Sequence, residues 1–283
     1  MINISSGILY LVATPIGNLS DISARALQTL RDADFIAAED TRVTRKLLEH
    51  YQIKKPLISY HEHNRRESGE KILSRITGGE SCALVSDAGT PGVSDPGENL
   101  VNLCAEHDIT IIMIPGPCAA VSALALSGLQ AGRFTFEGFL STAKKSRFEH
   151  LNELKPEKRT MVFYEAPHKL LRTLRDMFDT FGERNISISR ELTKIHEETL
   201  RFTLPEAITH FEQKPPRGEF TLIIEGARET PPSGTLLEDA EAAADSYIAE
   251  GMSVMDAVKK AAAETGVAKN TLYNIIIKKQ ERV

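Results

Sequence analysis

Several things are scarce in this chain, and each shortage closes off a class of protein. Long apolar runs are missing: the longest, such as Ile8 to Ala13 and Ile111 to Ile114, fall far short of the roughly 20 residues a membrane-spanning helix needs. No basic residue precedes the first apolar run, which is also too short for a signal-peptide core, so no secretion leader is expected. Cysteine occurs three times, at Cys82, Cys104 and Cys118. An odd number would strand one thiol in an oxidising compartment, so reduced thiols and a cytoplasmic location are expected. Positive charge is not in excess either. A net charge of −5 gives no general pull towards nucleic acid, and any such contact has to come from local basic patches. Two nucleotide fingerprints are also absent: no G-x-x-x-x-G-K-[ST] for a P-loop, and no G-x-G-x-x-G after a strand for a dinucleotide site. A ligand gripped through its phosphates is therefore not expected. What fits better is a nucleoside-like molecule held by backbone amides, carbonyls and a carboxylate.

At 283 residues the chain is long enough for about two ordinary domains without disulfide or metal staples. Short apolar runs at Ile8 to Ala13, Phe35 to Ala38, Pro56 to Tyr60, Cys82 to Val85, Ile109 to Ile114, Thr160 to Tyr164, Ile186 to Ser189 and Phe220 to Ile224 read as buried strands. Helical stretches separate them, with Ser20 or Asp21 placed to cap the first. This alternation predicts an α/β protein with mostly parallel or mixed sheets under helical cover, in two successive units, 1–117 and 118–229. Thr230-Pro231-Pro232-Ser233-Gly234 reads as a linker, and 230–283 as linker plus a small helical domain. From Ser253 onward that domain carries six basic residues against three acidic ones, and a break at Thr265-Gly266 divides two helices. Either a helix-turn-helix or a plain helical cap fits.

The densest signal is Ser86-Asp87-Ala88-Gly89-Thr90-Pro91-Gly92-Val93-Ser94-Asp95-Pro96-Gly97, directly after a strand. Four other polar segments, 14–19, 39–42, 115–118 and 163–168, also sit at predicted strand ends. Ligands of open α/β sheets bind outside the carboxyl ends of strands, so these segments outline one crevice. Its glycines serve either tight turning alone or close backbone approach to a ligand.

Taken with Arg190-Glu191-Leu192-Thr193-Lys194 and Gly218-Glu219-Phe220-Thr221-Leu222, these motifs resemble the ribosomal RNA small subunit methyltransferase I family, in order and along essentially the whole chain. The resemblance implies the tetrapyrrole-methylase (class III) fold, with S-adenosyl-L-methionine in a cleft between the two α/β units. It also implies 2′-O-methylation of a cytidine in the decoding region of 16S ribosomal RNA, within the small subunit, by a homodimer. By motif, Pro15, Ser86, Asp87, Thr90, Cys118, Ala119, Tyr164, Leu192 and Thr221 would face the cofactor. Ser141 departs from the family pattern, where a proline would follow Gly138-Phe139-Leu140, and Gly92-Val93 stands where bulkier apolar residues are common. A tetrapyrrole methyltransferase and a non-catalytic nucleotide or RNA binder are the competing readings.

Methyl transfer to a ribose hydroxyl needs in-line positioning and removal of the hydroxyl proton. Glu39, Asp40 and Glu191, at predicted strand ends, are the candidate bases. Arg42, Arg190 and Lys194 stand near them, and each carboxylate has the alternative of a helix cap or structural ion pair. His61 and His63 share one face of an extended segment, but no third ligand has suitable spacing, so no metal is expected. Acceptor RNA suits that segment better. Cys118, between Pro117 and Ala119-Ala120, reads as a small residue at a helix start. Candidate RNA contacts are Arg42, His61, His63, Arg65, Lys144, Lys145 and Arg147, with a solvated surface face as the alternative for the basic clusters.

Overall fold

The computed structural model describes residues 7–228 and 234–280, so residues 230–233 of the expected linker lie outside the described residues. Two compact units result, Met1–Ala227 and Arg228–Val283.

The first unit contains two five-stranded sheets. In the N-terminal sheet, strands β1 (Ile8–Val12), β2 (Phe35–Ala38), β3 (Leu57–Ser59), β4 (Cys82–Val85) and β5 (Thr110–Ile114) are all parallel, in the order β3-β2-β4-β1-β5. Helices α1 (Ala24–Asp32), α2 (Thr41–His50), α3 (Arg65–Thr77) and α4 (Gly97–Glu106) make the crossovers. The sequences FIAA and CALV are buried at every residue, as a strand covered on both faces requires. Alternation sorts their side chains. Phe35, Ala37, Cys82 and Leu84 join Leu9, Ile72 and Leu100 on one face, while Ile36, Ala38, Ala83 and Val85 join Val12, Leu30 and Leu48 on the other. Each fully buried leucine contributes about 1.5–3 kcal/mol. Because all five strands are parallel, their carboxyl ends open on one edge.

Helix α5 (Ala119–Ser127) leads into the second sheet and ends at Gly128, whose φ of 76° lies in the left-handed region glycine tolerates. Strands β6 (Phe134–Phe139), β7 (Thr160–Glu165), β8 (Asn185–Arg190), β9 (Glu198–Thr203) and β10 (Phe220–Ile224) follow the order β6-β7-β10-β8-β9. Only β6 and β7 pair in parallel; the other pairs are antiparallel. Helices α6 (Lys144–Leu154), α7 (Pro167–Phe181) and α8 (Leu204–Gln213) complete this half. Leu151, Leu170, Leu174 and Phe211 form the core on one face, whereas Ala120, Ala123 and Leu124 of α5 cover the other with Val162 and Ile223.

Three local expectations need correcting. Ser23, not Ser20 or Asp21, caps α1 by accepting the Ala26 N–H, because Leu19–Asp21 forms a short 3-10 turn first. β6 has no counterpart among the expected strands, since Glu137-Gly138 interrupts its apolar pattern. β9 has none either, being a partly exposed edge strand of mixed polarity.

In the second unit α9 (Gly234–Ala249), α10 (Val254–Thr265) and α11 (Lys269–Gln280) enclose Ala240, Ala244, Val258, Ala261, Leu272 and Ile276. Ser253 caps α10, and Gly266 at φ 73° ends it, at the break expected from the sequence. Among the described residues no helix is long and apolar enough to cross a membrane.

Candidate active site

The carboxyl edge of the parallel sheet faces a cavity of about 580 Å³ that the second sheet closes from the other side. In the parallel register Ala38 lies beside Val85, so Glu39 and Ser86-Asp87 leave neighbouring strands together. They lock reciprocally: the Asp87 N–H donates to Glu39 Oε2 at 3.3 Å, and the Asp40 N–H donates to Asp87 Oδ1 at 2.9 Å. The loop after β4 is then tied to its neighbours. Thr14 and Gly89 exchange backbone hydrogen bonds of 2.9 and 3.1 Å, and the Thr90 hydroxyl donates to the Pro117 carbonyl at 3.2 Å. Within the loop, Asp95 accepts the N–H groups of Gly92 and Gly97. Gly97 is required there, because a Cβ would lie 2.7 Å from Asp95 Oδ1 and 2.8 Å from the Gly92 nitrogen.

The opposite wall is a single row of strand register. Phe139 pairs with Tyr164, Tyr164 with Thr221 and Thr221 with Ser189, and all four line the cavity. The Tyr164 hydroxyl accepts the Ala120 N–H at 3.1 Å, and burial pushes its phenol up to about 12. Gly17 joins the two halves: a Cβ on it would run into Lys194 Cγ at 2.4 Å and the Leu192 carbonyl oxygen at 2.9 Å.

Of the nine expected cofactor contacts, Ser86, Asp87, Thr90, Cys118, Ala119, Tyr164, Leu192 and Thr221 line this cavity; Pro15 does not, although its neighbour Ile16 does. The three candidate bases separate. Asp40 is not a wall residue. It caps α2 and grips its own Arg42 side chain, whose hydrogen bonds hold the carboxyl down to about 2. Glu191 is bound by Lys194 at 2.9 Å and accepts the Glu219 N–H, which keeps its pKa low. Both are held in ion pairs that lower their affinity for a proton, the alternative their sequence setting also allowed. Glu39 lines the cavity, and its pKa is raised by burial first, with Asp87, Asp95 and Asp40 adding repulsion against the lowering effect of the Asp87 N–H.

Among the expected RNA contacts, Arg147 is a further correction. It is 3% exposed, pairs with Asp176 at 2.7 Å and donates to the Ser141 and Thr142 carbonyls, so it holds a loop from within. Arg42 and Lys145 stand out in solvent, with side chains 84% and 89% exposed. Lys144 is exposed nearby, Arg65 pairs with Glu62 at 2.9 Å, and His61 and His63 sit with ring centroids 6.0 Å apart. None of these lines the cavity. Asp95, Glu165 and His168 line it from within segments 86–97 and 163–168, which were expected to outline the crevice without being given a role, whereas Phe139 lines it from β6, an element the sequence did not announce. Asp95 and Glu165 are committed internally. Burial raises Asp95 against its three backbone donors, and Glu165 accepts the Ala166 N–H and the Thr173 hydroxyl.

A cleft of this shape between a parallel and a mixed sheet defines a methylase of the tetrapyrrole (corrin/porphyrin) class, and the model of that family matches residues 8–208. The uroporphyrin-III C-methyl transferase of Thermus thermophilus, solved with S-adenyl homocysteine, shares this fold with a TM-score of 0.54 at 16% identity, over 77% of this chain and 97% of its own. Two curated relatives named ribosomal RNA small subunit methyltransferase I are much nearer in sequence. That from Synechocystis sp. is 48% identical over 95% of this chain and 97% of its own length. That from Halalkalibacterium halodurans is 48% identical over 95% and 94%. The chain belongs to the ribosomal RNA small subunit methyltransferase I family.

Proposed function

We propose that this chain is an S-adenosyl-L-methionine-dependent methyltransferase of 16S ribosomal RNA, acting on the ribose 2′-hydroxyl of a cytidine in the decoding region within the small subunit. The observation that carries this reading is the polarity of the cavity. Glu39, Asp87 and Asp95 form an acidic wall on one side, and Phe139 and Tyr164 an aromatic one on the other. An acidic wall complements a cationic sulfonium and repels a phosphate. The volume also lies in the range of sites that enclose a small organic cofactor. The relatives' name supplies the RNA, and the bound S-adenyl homocysteine of the Thermus protein supports the cofactor.

Bound in this cleft, S-adenosyl-L-methionine supplies a methyl group already activated for transfer. Residues 1–117 contribute the acidic wall and residues 118–229 the aromatic one, while 230–283 form a separate helical module. Glu39 takes the proton of the ribose hydroxyl, because its raised pKa makes it the most basic of the three carboxylates. The Asp95 carboxylate fixes the loop after β4, and the Tyr164 hydroxyl fixes the start of α5. Arg42, Lys144 and Lys145 meet RNA phosphates at the exposed surface. A homodimer in the cytoplasm completes the reading.

The test offers labelled S-adenosylmethionine with small ribosomal subunits lacking the modification, naked RNA, and a tetrapyrrole precursor. Label on a cytidine ribose of the subunit RNA is expected. Label only in the tetrapyrrole would overturn the RNA substrate, and cofactor binding with no transfer to any acceptor would overturn catalysis.

A further inference from the structure

Phe139 is 56% exposed and stands on the wall of the cavity. Phe139 is there because of a backbone irregularity. Between Phe136 and Gly138 the register of β6 against β7 shifts by one residue, so that Phe136 faces Val162 but Phe139 faces Tyr164. In a regular strand residues 136 and 139 would point to opposite faces. The extra residue puts both on the face that carries Tyr164, and a bulge beside an active site often re-aims a side chain in this way. Gly138 makes the turn at φ 62°, and a Cβ there would crowd Ser94 Oγ at 3.2 Å.

The ring is braced from behind. Tyr164 lies 5.5 Å from Phe139 and 5.2 Å from Phe136 between ring centroids, and its hydroxyl is pinned to the Ala120 N–H. Val93, 41% exposed at the tip of the loop after β4, lines the same cavity. A rigid, wet aromatic face at the edge of a cleft is the device by which proteins hold an unstacked nucleobase. Resting on the methyltransferase reading above, we propose that Phe139 is the stacking platform for the base of the acceptor nucleotide, fixing its ribose in the cleft, and that it does not serve the cofactor.

The test compares Phe139→Ala, Phe139→Leu and Phe139→Tyr with the unmodified protein, using small ribosomal subunits as acceptor. Loss of one stacking contact is expected to raise KM for the subunit by about ten- to a hundredfold, with S-adenosylmethionine affinity unchanged and only a small drop in melting temperature from the lost contact with Tyr164. Phe139→Tyr, which keeps the aromatic face, should restore most of the loss, whereas Phe139→Leu, which keeps apolar bulk without a ring, should not. Weakened S-adenosylmethionine binding with an unchanged KM for the subunit would overturn the proposal by giving the ring to the cofactor. Unchanged kinetics in Phe139→Ala would overturn it too while leaving the methyltransferase reading intact. Failure of the unmodified protein to methylate subunits would remove both.

Discussion

Replacing Glu39 by glutamine changes charge with almost no change of shape, which makes it the sharpest probe of the cleft. The carboxylate accepts one hydrogen bond, from the Asp87 N–H at 3.3 Å, and the glutamine carbonyl oxygen can accept the same bond. Neutralisation also removes repulsion from Asp87, Asp95 and Asp40. The sign of the stability effect follows from linkage. The folded pKa of Glu39 is raised, so the folded chain holds this proton more tightly than the unfolded one, and stability falls as pH climbs from the ordinary glutamate value of 4.5 through the folded value. Glu39→Gln abolishes that decline, so its melting temperature at neutral pH should equal or exceed that of the unmodified chain. Catalysis should move the other way. A positioned general base contributes about 10²–10⁴-fold, so single-turnover methyl transfer should slow by that factor, about 3–5 kcal/mol in the barrier. The rate of the unmodified chain should drop on acidification with a midpoint above the ordinary glutamate value, and the variant should lack this limb. S-adenosylmethionine binding, read by calorimetry, should be retained because Asp87 and Asp95 keep the wall acidic. A variant that folds, binds cofactor and transfers methyl at the full rate would show that Glu39 is not the base.

Asp87→Ala should behave oppositely, weakening S-adenosylmethionine binding by at least about tenfold in calorimetry and costing about 1–2 kcal/mol of stability, since the Asp40 N–H loses its acceptor. In Gly97→Ala the new methyl meets the Gly92 nitrogen at 2.8 Å and displaces the loop after β4, for about 1–3 kcal/mol in thermal melts together with reduced cofactor affinity. Arg147→Ala leaves the Asp176 carboxylate unpaired in the interior and should cost about 3–5 kcal/mol in denaturant unfolding. The salt dependence of RNA binding should not change in Arg147→Ala, whereas exposed Lys145→Ala should lower that slope with little effect on stability.

The parallel sheet was legible in the sequence because its strands are buried on both faces and end in polar loops. A run such as CALV followed by Ser86-Asp87 carries the strand, its end and the site loop in consecutive residues. The second sheet was harder to read. β9 is an edge strand whose Glu198, Thr199 and Arg201 resemble any polar segment, and Glu137-Gly138 breaks the pattern of β6. Charge type misled in a consistent way. Arg147 lies beside two lysines in sequence and reads as one more surface cation, yet its partner Asp176 comes from α7, a contact no local pattern announces. The same holds for the carboxylates. Asp40, Glu191 and Glu39 look alike as strand-end acids, and only the position of Arg42 and Lys194 relative to each decides which remains free.

On the proposed reading, that division of labour among the acids is how a protein with net charge −5 presents one basic carboxylate to a bound cation. Asp40 is paired with Arg42, but the other two acids around Glu39 are fixed by donors that carry no formal charge: Asp87 by one backbone N–H, Asp95 by those of Gly92 and Gly97. Backbone amides orient a carboxylate while leaving its formal charge in place, so the negative field of these acids adds to burial, the larger cause, in raising the proton affinity of Glu39. An arginine at either position would satisfy the same oxygens and remove that field. The glycines of the loop therefore do two things at once. They permit the turn, and they bring N–H groups, in place of cationic side chains, to Asp95, while the Asp40 N–H does the same for Asp87.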